Sequence, residues 1–128
     1  MGPLRCVIVD DNHTYVEVAR KVLTQQGLSV VGVAGSRAEA MMVVADVHPD
    51  VVLIDVNLGD ESGFDLVNTL LGAREATSMT VILTSIRAEE DLSELIAASP
   101  AAGFVAKSDL SASIVRDFHN ARFDHDPS

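Results

Sequence analysis

Apolar and polar positions along the chain alternate between two kinds of stretch. Short apolar runs, Cys6 to Val9, Val30 to Ala34, Val51 to Ile54, Thr80 to Leu83 and Phe104 to Ala106, read as strands. Between them, apolar residues recur three and four positions apart, the period of a helix with one buried face. The first helical segment carries Tyr15, Val18, Ala19, Val22 and Leu23 and stops at Gly27, a helix terminator. The second opens with Ser36-Arg37-Ala38-Glu39, a capping box in which Ser and Glu satisfy each other's end, and ends before Pro49. The third follows Gly63 with Phe64, Val67, Leu70 and Leu71. The fourth carries Leu92, Leu95 and Ile96 and ends near Pro100; the fifth begins about Ser111 with Ile114, Val115 and Phe118.

Five repeats of strand then helix predict an α/β fold, a doubly wound five-stranded parallel sheet with five helices on its two faces. Val51 to Ile54 shows no alternation, so it is buried on both sides and belongs in the middle. Right-handed crossovers and a reversal between the first and third strands give the order 2-1-3-4-5. The ends of strands one and three then lie side by side at a switch point, where open sheets place their chemistry. One domain is expected over residues 1–123. The stretch Asp124-His125-Asp126-Pro127-Ser128 reads as a polar tail or the start of a linker.

The totals narrow the function. A chain of 128 residues that is 48% hydrophobic has enough apolar side chains for one sizeable core. A formal net charge of -10 with no basic stripe disfavours direct contact with nucleic acid or an anionic membrane. If the protein acts on DNA, another domain or subunit makes the contact. The single cysteine, Cys6, sits in an apolar run and excludes a disulfide framework. No stretch approaches the roughly 18 apolar residues of a membrane span. The N-terminus lacks a secretory pattern, so a cytoplasmic protein is expected. His13, His48, His119 and His125 share no ligand spacing and read as surface or loop residues.

Polar side chains gather where the strands end: Asp10-Asp11-Asn12 after the first, Asp55 after the third, Thr84-Ser85 after the fourth and Lys107 after the fifth. In the predicted fold all four ends open on one edge. Clustered carboxylates raise one another's pKa unless a positive charge joins them. A hard cation such as Mg²⁺ suits oxygen ligands and keeps several waters, so a few carboxylates suffice. The set suits phosphoryl capture, with Asp55 attacking phosphorus, the metal screening repulsion between anions, and Thr84 and Lys107 binding phosphoryl oxygens. Taken singly, each residue also has an ordinary reading: turn former for Asp55, helix cap for Asp10 or Asp11, strand residue for Thr84, solvated charge for Lys107.

Val7-Ile8-Val9-Asp10-Asp11, Leu53-Ile54-Asp55 with Gly63 eight residues on, Ile82-Leu83-Thr84-Ser85 and Gly103-Phe104-Val105-Ala106-Lys107 together resemble the receiver domain of two-component response regulators. The resemblance spans nearly the whole chain. It implies Asp55 as phosphoacceptor, a sensor histidine kinase as donor, and Mg²⁺ on Asp11, Asp55 and the Asn57 backbone carbonyl, with Asp10 acting partly through water. It implies a switch in which Thr84 moves toward the phosphoryl group and Phe104 follows. The readout face is then the fourth helix, fifth strand and fifth helix, with possible homodimerisation on phosphorylation. The chain is also similar to receivers of regulators with a C-terminal helix-turn-helix, so it is expected to be a stand-alone receiver or part of a transcriptional regulator.

Two positions depart from the commoner family pattern. Leu58-Gly59 stands where many members have Met-Pro, and Ser108 follows the lysine where many have Pro. The latter leaves the isomer at Lys107-Ser108 open, because a non-proline cis bond costs about 3 kcal/mol. Ile86 stands two residues after Thr84, a place where the family varies and tunes dephosphorylation. Asp60 and Glu61 read as solvated loop charges, and Arg87, Glu89, Glu90, Asp91 and Glu94 as the exposed face of the fourth helix. Three rival functions share parts of this pattern. A haloacid-dehalogenase-like phosphatase would use Asp10 as nucleophile, but Asn12 replaces its second carboxylate. A flavin or nucleotide module would need a phosphate cradle where Asp10-Asp11-Asn12 is acidic. A phosphorylation-independent interaction module is the third.

Overall fold

The five apolar runs form one parallel sheet. The computed structural model describes residues 2–72 and 79–124, with side chains described through Ala121. Its strands are β1 (Arg5–Val9), β2 (Ser29–Ala34), β3 (Val51–Asp55), β6 (Thr80–Ser85) and β7 (Gly103–Ala106). They are ordered β2-β1-β3-β6-β7. This is the expected 2-1-3-4-5 arrangement, interrupted in the count by β4 (Asn57–Leu58) and β5 (Glu61–Ser62), which form a separate antiparallel pair. All five residues of β3 are buried. Each large aliphatic hidden in this way contributes about 1.5–3 kcal/mol, so a slip of the central strand would be costly.

Helices α1 (His13–Gln25) and α5 (Ala112–Asp124) cover one face, where Val16, Ala19, Leu23, Ala112 and Val115 pack on Ile8, Leu53 and Val105. The other face is covered by α2 (Arg37–Val47) and α3 (Gly63–Leu71), with Leu92 just ahead of α4 (Ser93–Ala98). Ala40, Leu66, Val67 and Leu70 meet Val52, Ile54, Leu83 and Phe104 there.

Several local expectations change. On α1 the buried stripe runs through Val16, Ala19 and Leu23, and Val18 is 55% exposed. In α2 Ser36 accepts from the Glu39 N–H as a capping box requires, but the Glu39 carboxylate reaches the N–H of Gly35 at 2.8 Å. The fourth helical segment is shorter than its sequence period implies. Glu89–Leu92 is a 3₁₀ turn, α4 holds six residues, and Leu95 is 54% exposed. The acidic residues Glu89, Glu90, Asp91 and Glu94 are exposed as expected.

Glu61 is exposed but not merely solvated: it accepts the N–H of Arg37 at 2.9 Å, satisfying a free donor in the first turn of α2. His119 departs from its surface reading. It is half-buried on α5, with Nδ1 2.8 Å from the hydroxyl of fully buried Thr80. Helix α5 runs through Asp124, one residue into the stretch read as tail. The rest of that tail, His125 included, lies outside the described residues. No peptide bond among the described residues is cis, Lys107-Ser108 included.

Candidate functional site

Each polar side chain at the rim is delivered by the end of a buried strand. Asp10 follows β1 and is 2% exposed; its N–H donates to Ala34 O at 2.9 Å, which ties it to β2. The Asp10 Oδ1 atom accepts the N–H of Asn12 at 2.9 Å, and Asn12 in turn caps α1. Asp11 is exposed beside them. Asp55 closes β3 and is 7% exposed. Its partner across the ladder is Thr84, 3% exposed, whose carbonyl accepts the N–H of Val56 at 2.9 Å. Lys107 follows β7 directly.

The structure brings Asp10, Asp11, Asp55 and Lys107 together. One oxygen from each carboxylate lies within 4.8 Å of the others. Lys107 Nζ stands 2.9 Å from Asp55 Oδ2 and 2.7 Å from Asp10 Oδ2. Asp55 Oδ1 accepts the N–H of Asn57 at 3.0 Å. A cleft of about 300 Å³ opens here, lined by Asp11, Asn12, Asp55, Asn57, Gly59, Ser85, Ile86 and Lys107. Gly59 adopts φ +60 in the β4–β5 turn, a left-handed conformation glycine takes without strain. Leu58 beside it is buried, so the expected polar loop is a small hairpin anchored by one apolar side chain.

Phe104 lies apart from this cluster. It packs with Leu83 and Leu92 in the core beneath α2 and α3 and is 8% exposed. Its ladder partner is Leu83, one residue before Thr84. By its spacing Tyr15 belongs to the apolar stripe of α1. In the fold its ring lies 4.5 Å from Lys107 Nζ. No pattern in the chain could have signalled that contact, because the two residues meet only across the α1–β7 packing.

Burial raises the pKa of Asp55 above the ordinary carboxylate value, against the lowering effect of the Asn57 N–H and of Lys107; the Asp10 charge adds to the rise. For Lys107, burial favours the neutral amine, but Asp10 and Asp55 outweigh it and its pKa is raised. The Tyr15 phenol is pushed up to about 12 by burial and by the same two carboxylates.

The carboxylates suit a hard divalent cation. Asp10 Oδ2 is buried, and its contact with Lys107 is an ion pair rather than a well-aligned hydrogen bond. That oxygen keeps acceptor capacity in a place where water is scarce. Three carboxylates share one ammonium, so the cluster carries an excess of negative charge that a cation would relieve.

Comparison with known proteins agrees with this geometry. Residues 6–116 match the family model described as the response regulator receiver domain. The DNA-binding transcriptional activator DevR/DosR of Mycobacterium tuberculosis is 38% identical over 109 residues, 81% of this chain and 48% of that protein. A protein-glutamate methylesterase/protein-glutamine glutaminase of Myxococcus xanthus is 36% identical over 106 residues, 82% of this chain and 29% of that protein. The chain thus spans half or less of these relatives. Among solved structures, the signal receiver domain of a response regulator NarL from Mycobacterium tuberculosis superposes with a TM-score of 0.83 at 24% identity, covering 95% of this chain and all of that one. The response regulator domain of Thermotoga maritima CheB gives 0.76 at 20% identity, covering 98% of this chain and 99% of that one.

Proposed function

The chain belongs to the response regulator receiver domain family, and on that premise we propose that it accepts a phosphoryl group on Asp55 from a sensor histidine kinase. The observation that carries this reading is the position of Asp55. It ends the central strand, opens on the cleft, and pairs with Lys107 at 2.9 Å beside two further carboxylates. A carboxylate whose basicity is raised by burial is the better nucleophile once ionised.

An Asp55 oxygen forms the new bond to phosphorus. The bond from phosphorus to the donor imidazole nitrogen breaks, its electron pair leaves with the imidazole, and a solvent proton replaces the lost phosphoryl group. Lys107 turns from the carboxylate toward a phosphoryl oxygen, and the Thr84 hydroxyl donates to another. Asp10, Asp11, Asp55 and the Asn57 carbonyl would hold Mg²⁺, which supplies screening between the attacking and transferred anions.

Phosphorylation then biases a pre-existing equilibrium between two states, with Thr84 and Phe104 moving together and the α4–β7–α5 face as readout. The weakness of α4 supports this assignment. It has six residues, no side-chain cap and no fully buried residue, so little holds it in one place. The output under control is transcription. Similarity to DevR/DosR supports that reading, and kinship with the methylesterase supports the competing one. With a net charge of -10, DNA contact would come from another domain.

Treatment with acetyl phosphate and Mg²⁺ tests the proposal. Wild-type protein should gain one acid-labile phosphate mapping to Asp55, Asp55→Ala should gain none, and size measurement should show any linked dimerisation. Phosphate mapped to Asp10 would support the phosphatase reading instead. No incorporation from any donor would leave a phosphorylation-independent module.

A further inference from the structure

Lys107 is held from three sides. Two of its neighbours are carboxylates, Asp10 Oδ2 at 2.7 Å and Asp55 Oδ2 at 2.9 Å. The third is the ring of Tyr15, with its centroid 4.5 Å from Nζ. That lies inside the roughly 6 Å over which an ammonium is attracted to an aromatic face. The contact is sheltered, since the lysine side chain is only 10% exposed.

The ring's place is set by packing and by the backbone. Its hydroxyl is buried and makes no hydrogen bond to the described residues. Tyr15 packs against the core beneath α1 and α5. Its N–H donates to Asn12 Oδ1, and the N–H of Asn12 donates to Asp10 Oδ1. The same turn therefore orients Asp10 and positions the ring.

Both carboxylate partners of Lys107 change role in the proposed reaction. Asp55 becomes an acyl phosphate and Asp10 is a candidate cation ligand. A lysine restrained by them alone would lose its partners just as its charge is needed at phosphorus. The ring is neutral, takes no part in the exchange, and is anchored by its core packing and by the Asn12 turn. From this geometry we infer that Tyr15 is a positioning residue, whose aromatic face holds the Lys107 ammonium over Asp55 while the carboxylates exchange partners. The inference rests on the phosphoacceptor reading of Asp55.

The test compares wild type, Tyr15→Phe, Tyr15→Leu and a series with phenylalanines bearing one, two or three ring fluorines at position 15. The first readout needs no phosphodonor: the NMR shifts of the Lys107 ε-methylene protons. These should be displaced upfield by the ring in wild type and Tyr15→Phe, and should return to ordinary values in Tyr15→Leu. The second readout is acetyl phosphate kinetics on Asp55, separated into maximal rate and half-saturating concentration. Tyr15→Leu should lose about three- to tenfold in maximal rate, Tyr15→Phe should stay within about twofold, and the fluorinated rings should fall stepwise as the face loses negative charge at constant shape.

Equal loss in Tyr15→Phe and Tyr15→Leu, an unchanged rate in Tyr15→Leu, or a flat fluorine series would overturn the inference. Should Tyr15→Leu fail to fold, the fluorine series decides. Should wild type take no phosphate on Asp55, the functional reading falls, and unchanged ε-methylene shifts in Tyr15→Leu would separately remove the ring's hold on the lysine.

Discussion

Replacing Gly63 with alanine tests whether the acceptor is positioned by the packing of α3 against the end of β3. Gly63 is the first residue of α3, is buried, and donates its N–H to Val56 O at 2.8 Å. A Cβ at this position would stand 2.8 Å from Val56 Cα and 2.9 Å from the Asp55 carbonyl carbon, with the Asp55 carbonyl oxygen closer still. Ordinary contact begins near 3.4 Å, and the obstructing atoms are backbone, which cannot rotate away. Helix and strand end must therefore part by on the order of 1 Å, at an overpacking cost of about 1–3 kcal/mol. Weakening the Gly63–Val56 hydrogen bond adds about 1 kcal/mol.

The melting temperature should fall by roughly 8–16 °C, at about 4 °C per kcal/mol for a domain of this size. Phosphorylation should suffer as well, because a displacement of about 1 Å at a reacting group costs on the order of a hundredfold in rate. Thermal denaturation by circular dichroism, and acetyl phosphate kinetics well below the melting temperature, would measure the two effects. Gly103→Ala is the control. There the added atom meets the ring of Phe118, a side chain that can turn aside, so the acceptor's rate should change little. A Gly63→Ala protein with wild-type stability and wild-type rate would refute the reasoning.

Two further outcomes follow from the charges at the rim. Asp55→Asn should abolish acceptance and raise the melting temperature at neutral pH by a few degrees, since a carboxylate with a raised native pKa is one whose ionisation opposes folding. With a native pKa above 3.8, wild type should lose stability relative to Asp55→Asn as pH rises from 3.8 through that raised value, then run parallel; a gap that closes as pH rises would contradict this sign. Lys107 acts in the opposite sense. Its contribution is complete below 10.5 and is lost as pH rises through its raised native pKa. Lys107→Met should leave Asp10 and Asp55 buried without their cation and cost about 3–5 kcal/mol in metal-free buffer. Part of that loss should return on titration with Mg²⁺. Equal denaturation midpoints for wild type and Lys107→Met in chelator would count against a stabilising ion-pair network.

Much of the architecture was legible in the order of residues. Uninterrupted, mostly β-branched runs such as Val51 to Ile54 read as strands buried on both faces, and alternating them with amphipathic helices leaves few topologies. The polar residues after those runs were therefore assignable to one rim before any coordinates, and Asp10, Asp11, Asp55, Thr84 and Lys107 do end there. Pattern alone could not resolve features that depend on which surfaces meet. The spacing on α1 reads Val18 as part of the buried stripe and passes over Val16, and only the angle at which the helix lies on the sheet buries Val16 and leaves Val18 in solvent. Leu95 promised a longer buried α4, yet Glu89–Leu92 forms a 3₁₀ turn, and that leucine is left 54% exposed. Glu61, His119 and Tyr15 read as loop charge, surface residue and core aromatic. Each also reaches a partner distant in the chain: Arg37, Thr80 and Lys107. Hydrophobic periodicity is a local property: it indicates which main elements form, while the angle at which each lies on the sheet decides which of its apolar residues are buried. Contacts between polar or aromatic groups on different elements depend on packing distances, which exist only once the sheet and its helices have closed on one another.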